Sequence, residues 1–69
     1  MRPVRNRLPE LRRDLGLSQQ ALAGELGVSR QTIISIEKER FDPSLHLSFR
    51  IAHAFDLSIE EIFTPDDPE

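Results

Sequence analysis

Arg30, Gln31, Ile34, Ser35 and Lys38 fall at intervals that gather them on one side of a helix, opposite Ile33 and Ile36. A set of this kind has a definite chemistry. Arginine can donate two hydrogen bonds to guanine O6 and N7, glutamine can pair at two points with adenine, and an exposed isoleucine can pack on a thymine methyl. The stripe therefore suits the major groove of a duplex. Other reactive groupings are weaker. His46 and His53 lie seven residues apart, which aligns them on a helix face but separates them by about 10 Å of rise, too far for one ion to bind both directly. Serine, histidine and aspartate occur without a strained nucleophile turn, a glycine-rich phosphate loop or a pair of facing carboxylates. The segment Gly24 to Gly27 reads as helix and turn rather than as a phosphate cradle. No enzyme, metal or cofactor is expected.

Composition narrows the field further. The chain has 69 residues, 38% of them hydrophobic, enough for one domain with one core and modest stability that dimerisation would raise. It contains no cysteine, which removes disulfides, thiol catalysis and thiolate metal sites and suits a reducing compartment. Apolar runs are far short of the roughly 18 residues of a membrane span, and no signal-peptide core is present. A cytoplasmic protein is expected. The net charge of -3 argues weakly against a polyanion, but the average conceals an asymmetry. Residues 1–40 carry 8 basic and 5 acidic side chains, whereas residues 41–69 carry 1 and 7. One end can thus meet a polyanion while the other turns away from it or toward a protein partner.

Helices must position these side chains, because β-branched residues are sparse, alternation is short and hairpin turns are missing. Ser18, Ser29, Ser44 and Ser58 each precede a stretch of helical spacing and can cap it. A first helix, from about Arg7 to Gly16, would place Leu8, Leu11 and Leu15 on one face, with Asn6 as its cap and Pro9 tolerated in the first turn. The second spans roughly Gln19 to Leu26, turns Leu22, Ala23 and Leu26 inward and stops at Gly27. The third, roughly Arg30 to Lys38, buries Ile33 and Ile36. The fourth would align Leu45, Phe49, Ala52 and Phe55, and the fifth opens on Ser58 and Glu61 in a capping box and ends near Phe63. Residues 1–5 form an extended arm and 64–69 an acidic, loose tail. The arm has two readings: with Arg2, Arg5 and Arg7 it reaches phosphates or a minor groove, or it is an edge strand that completes a dimer with the Phe63 segment.

Helices of this length joined by Gly27-Val28-Ser29 have the dimensions of a helix-turn-helix. The runs Gly-Leu-Ser-Gln (16–19), Leu-Ala (22–23), Leu-Gly-Val-Ser-Arg-Gln-Thr-Ile (26–33), Ile-Glu (36–37) and Pro-Ser-Leu (43–45) resemble the Cro-like, phage-repressor (XRE-type) helix-turn-helix family of DNA-binding regulators. The resemblance runs from about Asn6 to Phe63 and is strongest to short bacterial members that lack an effector domain. It implies an all-α, five-helix, lambda-repressor-like fold, forming one domain over residues 1–69.

The same resemblance implies roles for single residues. Arg30, Gln31 and Ser35, with Ile34 beside them, read base edges; Gln19 holds a phosphate at the start of the second helix, joined by Thr32, Lys38 and Arg40. Arg12 and Glu37 match positions that pair beneath the recognition helix, a structural role whose weight depends on their burial. Where the family commonly has glycine, this chain has Glu39, so the helix end either differs or tolerates roughly 1 kcal/mol of strain. Partners implied are double-stranded DNA and a second copy of the chain, with Ile59, Ile62 and Phe63 as the dimer interface. The expected output is repression. Two other readings stand beside it: an antitoxin whose acidic tail masks a basic toxin, and an interaction module that kept the fold and lost DNA binding.

Overall fold

The computed structural model describes residues 4–40 and 42–65. Five helices appear in the order the sequence suggests: α1 (Leu8–Asp14), α2 (Gln19–Leu26), α3 (Arg30–Glu37), α4 (Leu45–Phe55) and α5 (Ile59–Ile62). Two strands, β1 (Arg5–Asn6) and β2 (Phe63–Thr64), pair antiparallel and join the two ends of the described chain.

Serine chemistry sets four of the helix starts. Ser18, Ser29, Ser44 and Ser58 take extended backbone angles, and their hydroxyls accept from the amides of Ala21, Thr32, Leu47 and Glu61. Each therefore satisfies an amide that has no partner inside its helix. At Ser58 the bond is reciprocated, because the Ser58 amide donates to Glu61 Oε1 at 2.8 Å. These bonds hold the Glu61 carboxyl below its ordinary value, the Ser58 backbone amide contributing most. The α1 start differs by one residue from expectation. Arg7 occupies the cap position, while Asn6 Oδ1 accepts from the Leu8 amide at 2.9 Å and Pro9 lies in the first turn.

Leu8, Leu22, Leu26, Ile33, Ile36, Ile51 and Ile62 are almost fully buried and form one core with Ala23, Leu47, Ala52 and Phe63. Three apolar assignments need correction. Leu15 lies beyond the end of α1 and is 59% exposed. On α4, Leu45 and Phe49 are exposed at 70% and 59%, and the buried set is Leu47, Ser48, Ile51 and Ala52. Apolar residues occur around most of this helix, so tertiary packing on α2 and α5, not periodicity, selects the inward side. Ile62 and Phe63, expected at a dimer interface, lie inside the chain's own core. Ile59 remains half-buried at the rim.

Two-residue strands are too short to show alternation, and the edge strand that is one reading of the arm pairs with the Phe63 segment of the same chain rather than of a second copy. Arg5 pairs with Thr64 and Asn6 with Phe63 within one chain, so these residues are not a free arm. Val4 packs on the core, and its amide donates to Asp42 Oδ1 at 2.8 Å. Arg2 and the tail residues after Pro65 lie outside the described residues.

Candidate nucleic-acid interface

α2 and α3 make the most extensive helix contact and are joined through Gly27, whose φ of 71° is a backbone conformation glycine adopts without a side-chain clash. The turn closes with the Val28 amide donating to the Ala23 carbonyl at 3.0 Å, and Ser29 then starts α3. A Cβ at Gly27 would find only ordinary contact with the Arg50 guanidinium, so angle rather than space requires glycine here.

With Ile33 and Ile36 buried, α3 presents the opposite side outward. Arg30, Gln31 and Lys38 are exposed, and Thr32, Ile34 and Ser35 are partly exposed. Gln31 Nε2 donates to Ser35 Oγ at 3.4 Å, one turn along, while Thr32 Oγ1 lies 2.9 Å from the Ser29 hydroxyl. Arg40 is exposed just past the helix. The stripe is thus a contiguous set of donors and acceptors with an isoleucine among them.

Beneath it the polar groups are consumed internally. Arg12 Nε donates to Glu37 Oε2 at 2.7 Å and Arg12 Nη2 to Glu37 Oε1 at 3.2 Å, in a fork between side chains only 12% and 6% exposed. Arg12 Nη1 reaches the Leu17 carbonyl at 2.9 Å. The hydrogen bond to Glu37 raises the Arg12 pKa above its ordinary value despite burial, so the guanidinium stays charged. Gln19 joins the same cluster, donating from Nε2 to Glu37 Oε1 at 3.1 Å. Its side chain, expected on a phosphate, is therefore tied to α3, while its backbone amide lies in the first turn of α2.

Glu39 takes φ 59°, so the left-handed helix end forms without glycine. Its amide donates to the Ile36 carbonyl at 2.9 Å and the Arg40 amide to the Ser35 carbonyl at 3.0 Å, the pair of bonds that closes a Schellman end. The carboxylate does not project outward between Lys38 and Arg40. Glu39 Oε2 instead accepts from the Asn6 amide at 3.3 Å, and Asn6 Nδ2 donates to the Ile36 carbonyl at 2.8 Å. Sequence reasoning missed this tie. Asn6 could be read as a cap, but a contact across thirty residues leaves no local pattern.

His46 and His53 are both exposed on α4, and among the described residues no cluster of histidine and carboxylate side chains is arranged to hold a metal ion. No described helix is long and apolar enough to cross a membrane.

Comparison with known proteins agrees with this geometry. A family model described as helix-turn-helix matches residues 10–62. An HTH-type transcriptional regulator of Methanocaldococcus jannaschii is 52% identical over 66 residues, covering 96% of this chain and all of that protein. The HTH-type regulator YgzD of Bacillus subtilis is 42% identical over 60 residues, covering 87% of this chain and 91% of its own length. PuuR of Escherichia coli, an HTH-type transcriptional regulator, is 31% identical over 67 residues, but those make up only 36% of its length. Archaeal as well as bacterial proteins thus share the short form. With the motif, the five helices and the alignment in agreement, the chain belongs to the XRE-type helix-turn-helix family.

Proposed function

We propose that this chain is a DNA-binding transcriptional regulator that reads the major groove of duplex DNA with α3 and acts as a repressor. The observation that carries the proposal is the outward stripe of α3, left free while the helix's inner side is fixed by Ile33, Ile36 and Glu37. Arg30, Gln31 and Ser35 contact base edges, and Ile34 packs on a thymine methyl. Lys38, Arg40, Thr32 and the Gln19 amide hold phosphates, fixing register without choosing sequence. Such a protein works in the cytoplasm, on the nucleoid.

The working unit is a homodimer on a two-fold site with half-sites about 34 Å apart. Its interface centres on Ile59 and the exposed Leu45 and Phe49 of α4, in place of the buried Ile62 and Phe63. Phe49 borders an open recess of about 610 Å³ whose lining mixes Ala52, Leu57 and Ile59 with the polar His53, Asp56, Ser58 and Glu60. A two-fold dimer brings the same patch of both copies together, so the exposed Leu45 and Phe49 of one copy would be covered by those of the other.

Selection of bound fragments from random duplexes tests the reading. Enrichment of one palindromic sequence is the expected result, with sedimentation giving a dimer that Phe49→Glu splits. Unchanged mobility of random duplex at low salt would instead favour an interaction module without DNA affinity. Co-purification with a basic toxin would favour the antitoxin reading.

A further inference from the structure

We infer that Asn6 is a positioning residue for duplex reading: it fixes the C-terminal end of α3, and with it Ser35, Lys38 and Arg40, against the rest of the domain. The inference rests on the DNA-reading function proposed above.

Four bonds carry it. Asn6 Nδ2 donates to the Ile36 carbonyl at 2.8 Å, Asn6 Oδ1 accepts from the Leu8 amide at 2.9 Å, and the Asn6 amide donates to Glu39 Oε2 at 3.3 Å. Two residues earlier, the Val4 amide donates to Asp42 Oδ1 at 2.8 Å. One short segment thus holds the start of α1 and both sides of the loop that leaves α3. Asn6 is itself paired with Phe63 across the β1–β2 ladder, and the Arg7 amide donates to the Ile62 carbonyl at 2.9 Å. The clamp is therefore anchored in the core through Ile62 and Phe63, both buried.

Two consequences bear on recognition. The last turn of a helix has carbonyls without intrahelical partners and tends to fray, and here one of them, that of Ile36, accepts the Glu39 amide of the left-handed end and, as a second donor from a different part of the fold, the Asn6 side chain. Contacts made from Ser35 onward need that turn held to within about 0.5 Å to select bases rather than merely touch DNA. In addition, the bond from the Asn6 amide draws the Glu39 carboxylate toward β1, away from the phosphates that Lys38 and Arg40 would meet. That donor is a backbone amide, so it survives a side-chain change at position 6 for as long as β1 keeps its place.

Asn6→Ser separates positioning from simple capping. Serine keeps an oxygen acceptor for the Leu8 amide but has no amide group to reach the Ile36 carbonyl. Ser58→Ala, which removes the cap of α5, serves as a control of similar stability. Binding to the selected sequence and to random duplex is measured well below the melting temperature of every variant, and amide hydrogen exchange is followed at Glu39 and Arg40. The expected result is faster exchange at those two amides in Asn6→Ser, with about tenfold weaker binding to the selected site and less than about twofold change on random duplex. Ser58→Ala should alter neither the exchange at Glu39 nor the ratio of the two affinities. Unchanged exchange in Asn6→Ser, or faster exchange with selectivity intact, would overturn the inference while leaving DNA reading in place. If the natural chain itself selects no sequence, the proposed function fails and this role fails with it.

Discussion

On its outer side α3 carries Arg30, Gln31 and Lys38 exposed, and among the described residues their one side-chain hydrogen bond is the long contact from Gln31 to Ser35. On its inner side the same helix contributes Glu37, whose two oxygens accept three bonds from Arg12 and Gln19. One side has its hydrogen-bonding capacity filled by the protein. The other keeps it for whatever the protein meets. Intrinsic helicity at eight residues is marginal in water, so rigidity must come from the filled side for the open side to hold a shape.

Mutations at the two sides should therefore fail in different assays, and the largest effect belongs to the inner one. Arg12→Ala leaves Glu37 buried without its cation and should cost about 3 to 5 kcal/mol of stability in urea denaturation. Arg12→Met combined with Glu37→Leu should recover most of that loss, since matched apolar side chains leave no charge behind. Recovery would show that the pair fixes geometry more than it adds net stability. On the outer side, Gln31→Ala should lose about 1 to 3 kcal/mol on the selected site while thermal stability stays within roughly 0.5 kcal/mol of the natural chain.

Smaller effects sharpen the contrast at the helix ends. Glu39 and Asp56 both take left-handed backbone angles, φ 59° and 56°, where glycine would be unstrained. Asp56→Gly should raise stability by up to about 1 kcal/mol. Glu39→Gly should gain less, because it also removes the acceptor of the Asn6 amide, and calorimetry of the two variants side by side measures the difference. The smallest expected effect is at Glu61. Its folded pKa is lowered by the Ser58 bonds, so its contribution is complete above the ordinary glutamate pKa of about 4.3 and disappears as pH falls through the lowered folded value. Glu61→Gln should flatten stability only in that acid window, leaving the curve above pH 5 unchanged in slope.

Much of this fold was legible because its helix starts are local. A serine followed by helical spacing states its own role, and the structure finds the hydroxyl of each such serine on the amide three residues on. The outward stripe of α3 was legible for the same reason, since Ile33 and Ile36 leave one orientation for a short amphipathic helix. What escaped was decided by contacts distant in sequence. Leu45 and Phe49 have the pattern of core residues, yet α4 carries apolar side chains on too many sides for pattern to choose. Phe63 and Ile62 look available for a partner until the β1–β2 ladder brings them under the domain. Gln19 and Asn6 read locally as a surface ligand and a cap, and each also donates to a group on α3 that no local pattern announces; Asn6 keeps its bond to the Leu8 amide as well.

If the outer side of α3 chooses sequence, as proposed, and the basic residues beyond it only grip the backbone, losses at the two places must differ in kind. The measurement is the binding of Arg30→Ala and Arg40→Ala to the selected duplex and to random duplex across a salt series. Arg30→Ala should lose affinity chiefly on the selected duplex, and Arg40→Ala should weaken both alike while shallowing the salt dependence by about one unit. Equal losses on both duplexes from the two variants would contradict that division of roles.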